Sequence, residues 1–236
     1  MRLADRVVAR TGFCARPHDE VRRVPKIGGT KTPDLERLRS LAPTHLIVNV
    51  DENRLEDVDA ARAFVPHVVV TDPRVPDDNL RLYRLFGALF DREAEAEVLA
   101  HSYAEAVAAL DAACKRLPRE RVLYLIWRRP WMTVSTDTYI SATLARAGCD
   151  TLPRAPTPRY PIVGGDDPCW REAQQIVLSS EPYAFRARDA TGLAARWHKP
   201  VDLIDGEWTS WYGVRAIEGL RALGDWRLRR STNAGP

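Results

Sequence analysis

No stretch of this 236-residue sequence is apolar for long enough to cross a membrane, and no charged segment followed by an apolar core opens it. As written, that places the chain in the cytoplasm; a start further upstream would place it in the periplasm or at the cell surface. Cysteine is scarce. Cys14, Cys114, Cys149 and Cys169 form no CxxC pair, which excludes zinc-ribbon chemistry and reads as isolated thiols. No basic stripe with interleaved aromatics runs along the chain, and the net charge is only +3, so nucleic acid is not an expected partner. No three histidines gather with a carboxylate at ligand spacing, so no metal site is expected; His45 and His67, at buried strands, read as structural. A Walker A loop is absent too, since Lys31 follows Thr30 without the required glycine spacing, and this removes the case for nucleotide hydrolysis.

What is present is one long helical run. Arg92 to Lys115, 24 residues rich in Ala, Glu and Leu, contains no Gly or Pro and would span about 36 Å. On either side, strands alternate with helices, which points to α/β architecture with mostly parallel sheets. The expected division is an N-terminal α/β lobe over residues 1–90, a backbone helix over 91–117 and a C-terminal α/β lobe over 118–236. A single helix joining two lobes leaves a cleft for a ligand.

In the first lobe the pattern predicts a strand at Arg6–Arg10 and a helix from Pro33 to about Leu41 with Thr32 as N-cap. A strand at Leu46–Val50, a helix near Arg54–Phe64, a strand at His67–Thr71 and a helix over Asp77–Phe90 follow. The second lobe predicts strands at Arg121–Trp127, Thr133–Ser135, Ile176–Ser180 and Val201–Asp205. Its helices fall at Thr138–Ala147, just before Ile176, around Ala184–Arg196 and from Val214 to about Leu223. The final Arg227-Leu228-Arg229-Arg230 and the residues after it read as a solvated tail.

All seven tryptophans lie beyond residue 120, and four fall where two strands of the second lobe end. Ligands in open parallel sheets bind outside those carboxyl ends. Trp127, Arg128, Arg129 and Trp131 follow the first strand; Glu207, Trp208 and Trp211 follow the last. Indole faces suit a broad planar ligand, and Arg128 and Arg129 suit its carboxylates or phosphate. Trp127 fits the core as well as it fits a ligand rim. Tyr160, in a loop rich in Pro and Gly, is a further candidate. In the first lobe, Thr30 and Lys31 precede a helix N-terminus, where backbone N–H groups can receive an anion.

Three stretches, VPKIGGTKTPDLERLRSLAPTHLIVNVDENR, RVLYLIWRRPWMTVSTDTYISATLARAGCDTLP and PVDLIDGEWTSWYGVRAIEGLRAL, resemble the helical-backbone (class III) family of ABC-transporter substrate-binding proteins, cobalamin-binding branch. The resemblance implies two Rossmann-like lobes that move little, with a corrinoid, haem or ferric siderophore held between them. Trp208 falls where that branch places an aromatic ring against the corrin. Family members begin with a strand and helix that have no counterpart before Leu3, so the first lobe is expected to be N-terminally truncated. The family docks on an ABC permease through an acidic residue on each lobe: Glu52 or Glu56 suits the first, while the second has Ser210 at the corresponding position and Glu207 nearby. The ligand would be a metal chelate, with no cofactor of the protein's own. The competing class is a cytoplasmic enzyme of tetrapyrrole or cobalamin metabolism, chelatase-like or salvage, with Glu207 as its titratable group.

Overall fold

The computed structural model describes residues 1 and 3–233. The chain divides into two compact units, Met1–Asp72 and the part from Pro73 onward. The helix at Asp78–Phe90 and the long helix after it belong to the second.

The first unit runs through α1 (His18–Val21), α2 (Leu35–Ser40), β1 (His45–Asn49), α3 (Leu55–Arg62) and β2 (His67–Thr71). β1 and β2 pair in parallel, His45 opposite His67 and Asn49 opposite Thr71. Ile27, Leu38, Ala61 and Val65 form its core, with Leu46 and Val68 packed against them. The strand expected at Arg6–Arg10 does not form. Ala4–Arg6 is a 3₁₀ turn, and the segment makes one bridge, Arg10 to Lys26. Val7 and Val8 stay exposed, because no sheet face lies opposite to reward the alternation. The helix expected from Pro33 starts at Leu35. Asp34 is its N-cap, its carboxylate accepting from the Arg37 amide at 2.9 Å. Thr32 loses the role because the Gly28–Pro33 bridge and the bond from Asp34 N to Ile27 O hold the preceding residues in a loop.

The second unit opens with α4 (Asp78–Phe90) and α5 (Glu93–Cys114). α5 matches the Gly- and Pro-free run to within a residue at each end. Its buried positions Ala96, Ala100, Tyr103, Ala106 and Leu110 recur every three to four residues, and the stripe packs against α4 and the last helix. Then come β3 (Glu120–Arg128), β4 (Trp131–Thr133), α6 (Tyr139–Arg146), β5 (Cys149–Thr151), α7 (Cys169–Glu172), β6 (Gln175–Ser179), α8 (Ala187–Trp197), β7 (Val201–Ile204), α9 (Glu207–Ser210) and α10 (Val214–Asn233). The sheet order is β4-β3-β6-β7, with β5 beside the start of β3; only β4 is antiparallel. The expected α/β class with mostly parallel sheets is therefore what the chain adopts. Val122–Leu125 and Ile176–Leu178 are wholly buried, which is why these strands read as unbroken apolar runs.

Three features of this unit differ from the sequence reading. β4 lies at Trp131–Thr133, two residues early, because Thr133 and Ser135 donate to Pro161 O and Arg159 O of the following loop. The residues after β7 form the short helix α9 and not a plain loop. The basic tail is helical and only partly solvated: α10 continues through it to Asn233, Leu228 and Arg229 are exposed while Arg227 is buried, and Ala234 to Pro236 lie outside the described residues. Trp226, Arg227 and Arg230 share one face of α10. Arg227 is 2% exposed, pairing with Glu120 at 2.8 Å and donating to Pro118 O at 2.8 Å. Arg230 joins Glu120 at 2.9 Å to Asp202 at 3.0 Å, and Asp202 also accepts from Trp226 Nε1 at 2.8 Å. Carboxylates at the starts of β3 and β7 thus neutralise arginines that the linear sequence shows only as a charge run.

Candidate functional site

β3, β6 and β7 are parallel neighbours, so their carboxyl ends lie side by side, with β6 in the middle. β3 delivers Trp127 and Arg128; β6 delivers Ser180, Glu181 and Tyr183; β7 delivers Asp205 and α9. A web of short polar contacts joins the last two. Ser180 Oγ donates to Asp205 Oδ1 (3.3 Å) and accepts from Gly206 N (3.0 Å), while the Glu207 amide donates to Asp205 Oδ1 (3.0 Å). Gly206 is required here, because a Cβ would collide with Ser179 and Glu181. Beneath α9, Tyr124 and Thr209 share a buried hydroxyl–hydroxyl bond of 2.7 Å, and burial pushes the Tyr124 phenol up to about 12.

At the β7 end, Trp211 Nε1 and Ser210 Oγ both donate to Glu181 Oε1, at 2.7 and 2.6 Å. Trp208 and Trp211 are half-buried, so neither is sealed in the core. Glu207 pairs with Arg215 at 2.7 Å. At the β3 end, Trp127 is 38% exposed, packs edge-on against Tyr183 at 5.6 Å and donates Nε1 to Arg129 O at 3.2 Å. Arg128 is tied to the buried Asp189 at 2.7 Å, whose Oδ2 also caps α8 through the Arg186 amide. Arg129 is exposed.

The remaining candidates stand elsewhere. Trp131 stacks on Phe185 (6.1 Å, 3°) and meets Trp170 edge-on, packed against the core cluster of Leu123, Leu125, Ile176 and Leu178. Tyr160 is exposed beneath the Arg159 guanidinium at 5.9 Å. Thr30 and Lys31 belong to the first unit, where Thr30 O accepts from Asn53 and Lys31 Nζ donates to Asp51 O at 2.7 Å. The N-terminus of α2 beyond them carries the Asp34 carboxylate as its cap, so the anion expected there is supplied by the chain itself. Glu52 and Glu56 are exposed; the Glu56 carboxyl is held below the usual range by its own backbone amide and by Arg54. A separate 440 Å³ groove lined by Thr136, Ser141, Asp150, Thr151 and Arg154 includes none of the sequence-selected residues.

Glu181 escaped the sequence reading. The available signal was its position directly after the apolar run Ile-Val-Leu-Ser-Ser, which puts it at the carboxyl end of the central strand. Among the described residues no three His, Cys, Asp or Glu side chains gather as a metal set, and no helix is long and apolar enough to cross a membrane.

Half-buried tryptophans held by a polar web at parallel strand ends make a surface for holding a ligand, which is the design of a binding protein. The chain belongs to the periplasmic binding protein family, whose pattern it matches over residues 2–174. It is a substrate-binding protein of the ABC-importer type and not an enzyme, which sets aside the metabolic-enzyme alternative and the titratable role for Glu207. No curated protein matches the sequence. Similar solved structures include the periplasmic vitamin B12 binding protein BtuF of Vibrio cholerae, at 14% identity over 95% of this chain and 89% of that one, with a TM-score of 0.80. The periplasmic heme-binding protein RhuT from Roseiflexus sp. RS-1, in apo form, is 20% identical over 94% and 89%, with a TM-score of 0.78. A periplasmic heme binding protein from Pseudomonas aeruginosa is 19% identical over 94% and 85%, with a TM-score of 0.76. At these identities the likeness is one of fold.

Proposed function

We propose that the chain captures a corrinoid, a flat metal-chelate macrocycle of the cobalamin type, against the aromatic strand ends of its second unit. The observation that carries this reading is the half-burial of Trp208 and Trp211 on a turn whose backbone is held by Asp205 and Ser180, with the Trp211 indole held by Glu181. A broad apolar ring face held in place loses little side-chain freedom when a planar ligand covers it. Trp127 extends the apolar rim at the β3 end, and Arg129 offers an exposed cation beside it. Haem is the second reading, favoured by that same Arg129, which suits a propionate. Delivery to a permease through Glu52 or Glu56 of the first unit completes the proposal.

The test is a fluorescence titration of cyanocobalamin, haemin and a ferric siderophore against wild type, Trp208→Ala and Trp226→Phe. Indole emission falls as a tetrapyrrole covers the rim. Trp208→Ala costs on the order of 2 kcal/mol, the range of buried aromatic anchors, or roughly thirtyfold in affinity. Trp226→Phe leaves affinity unchanged, since that indole bonds to Asp202 at the start of β7. Absence of binding by all three compounds, or wild-type affinity in Trp208→Ala, would overturn the reading.

A further inference from the structure

The charged groups at the strand ends are not equivalent. Arg128 is neutralised by Asp189 and Glu207 by Arg215. Glu181 and Asp205 are half-buried, and neither forms an ion pair with any described residue. Glu181 is the central one, following the middle strand β6, with Tyr183 and Trp127 on one side and Trp211 on the other. One of its oxygens is saturated by Ser210 and Trp211; Oε2 has no hydrogen-bond partner among the described residues. A carboxylate in this state does two things at once. It holds the Trp211 ring in orientation, and it presents an acceptor with an uncompensated negative charge beside the indole faces.

Resting on the reading of a flat metal chelate at this rim, we propose that Glu181 is its specificity-determining residue, accepting a hydrogen bond from an N–H donor on the ligand edge and repelling ligand carboxylates. The substrate class that fits is an amide-edged corrinoid, whose periphery offers neutral N–H donors. A porphyrin edged by propionates meets like charge from Glu181 and Asp205, and like-charge juxtaposition is an effective way to reject a ligand of similar shape. Arg129 is the exposed cation that follows β3, the strand beside β6.

Glu181→Gln and Glu181→Ala separate the two roles. The glutamine keeps a carbonyl acceptor for Ser210 and Trp211 and removes the charge; the alanine removes both. Titrations of each variant and wild type with cyanocobalamin and with haemin, at low and at physiological salt, give the readout. Wild type is expected to prefer cyanocobalamin. Glu181→Gln should hold cyanocobalamin within about threefold and gain about tenfold for haemin, the gain shrinking as salt screens the charge. Glu181→Ala should weaken both ligands as Trp211 loses its anchor. If both ligands bind and Glu181→Gln leaves their ratio unchanged, or if wild type prefers haemin, the selectivity role is wrong while capture at the rim stands. If neither ligand binds any of the three proteins, the capture reading fails and the selectivity role fails with it.

Discussion

Gly219 lies in α10 where that helix crosses the backbone of α9. A Cβ built there would lie 2.6 Å from Trp208 O, 2.9 Å from Trp208 Cα and 3.1 Å from Trp208 C. These are backbone atoms, so no side-chain rotation relieves the contact. Reaching an ordinary separation of 3.4 Å from the carbonyl oxygen requires the Trp208 backbone or α10 to retreat by about 0.8 Å. Overpacking of this kind costs about 1–3 kcal/mol, and the helix propensity gained from Gly to Ala returns about 1 kcal/mol. The net expectation for Gly219→Ala is a loss of about 0–2 kcal/mol, or up to about 8 °C in Tm for a chain of this length. Gly224, in the same helix, is the internal control. Its Cβ would meet Ala113 and Leu110 at 3.6 and 3.7 Å, which is ordinary contact, so Gly224→Ala should keep the propensity gain and raise Tm by about 2–4 °C. Thermal melts followed by circular dichroism measure both. The reasoning fails if Gly219→Ala is as stabilising as Gly224→Ala, because the close approach of α10 to Trp208 would then impose no cost. It also implies that Gly219→Ala weakens ligand capture without touching any side chain of the rim.

Other perturbations test the frame beneath the site. Arg227→Met keeps the buried stem but strips Glu120 of one partner and leaves Pro118 O without its donor; with Arg230 still paired to Glu120, the loss should be about 2–3 kcal/mol in urea titration. A midpoint shift worth less than about 0.5 kcal/mol would show the pair to be inert. Burial raises Tyr124 and Tyr139 from 10.0 to about 12. Their folded values lie above the unfolded one, so the contribution they make is complete below pH 10 and is lost as pH climbs towards 12. Tyrosinate absorbance should therefore show these rings ionising only as pH nears 12 or as the chain unfolds, and ionisation of all seven tyrosines near pH 10 with structure retained would contradict their burial.

The sequence made the long helix and the central strands plain because their signals are local. An unbroken run without Gly or Pro has little option but helix, and strands buried on both faces must be apolar throughout. Elements that depend on distant partners were harder to see. β5 is three residues with an aspartate in the middle, and it exists because the start of β3 offers an open flank. Conversely, the valines near the N-terminus look like a strand and lack the partner that would make them one. The basic tail misled for the same reason: its neutralising carboxylates, Glu120 and Asp202, lie some 110 and 28 positions away from Arg230. At the rim, tryptophans announced themselves by type and location, whereas the bonds that orient them did not. Whether Trp131 packs inward depends on Phe185 and Trp170, and the part played by Glu181 depends on the neighbouring ends of β6 and β7.

α10 is anchored at both extremities by different chemistry. Near its first turn, Gly213 donates to Asn79 Oδ1 at 2.6 Å and accepts from Tyr83 Oη at 2.8 Å; towards its last, Trp226, Arg227 and Arg230 grip the beginnings of β3 and β7. A helix of 20 residues measures about 30 Å, so this one strut runs from the strands' carboxyl ends to their amino ends. Fraying that starts at the chain's C-terminal turn is therefore not confined there. Once the arginines release, the segment bearing Trp208 and Trp211 loses the far end of the support it leans on, and the tryptophan rim and the C-terminal turns should open and close as one cooperative unit.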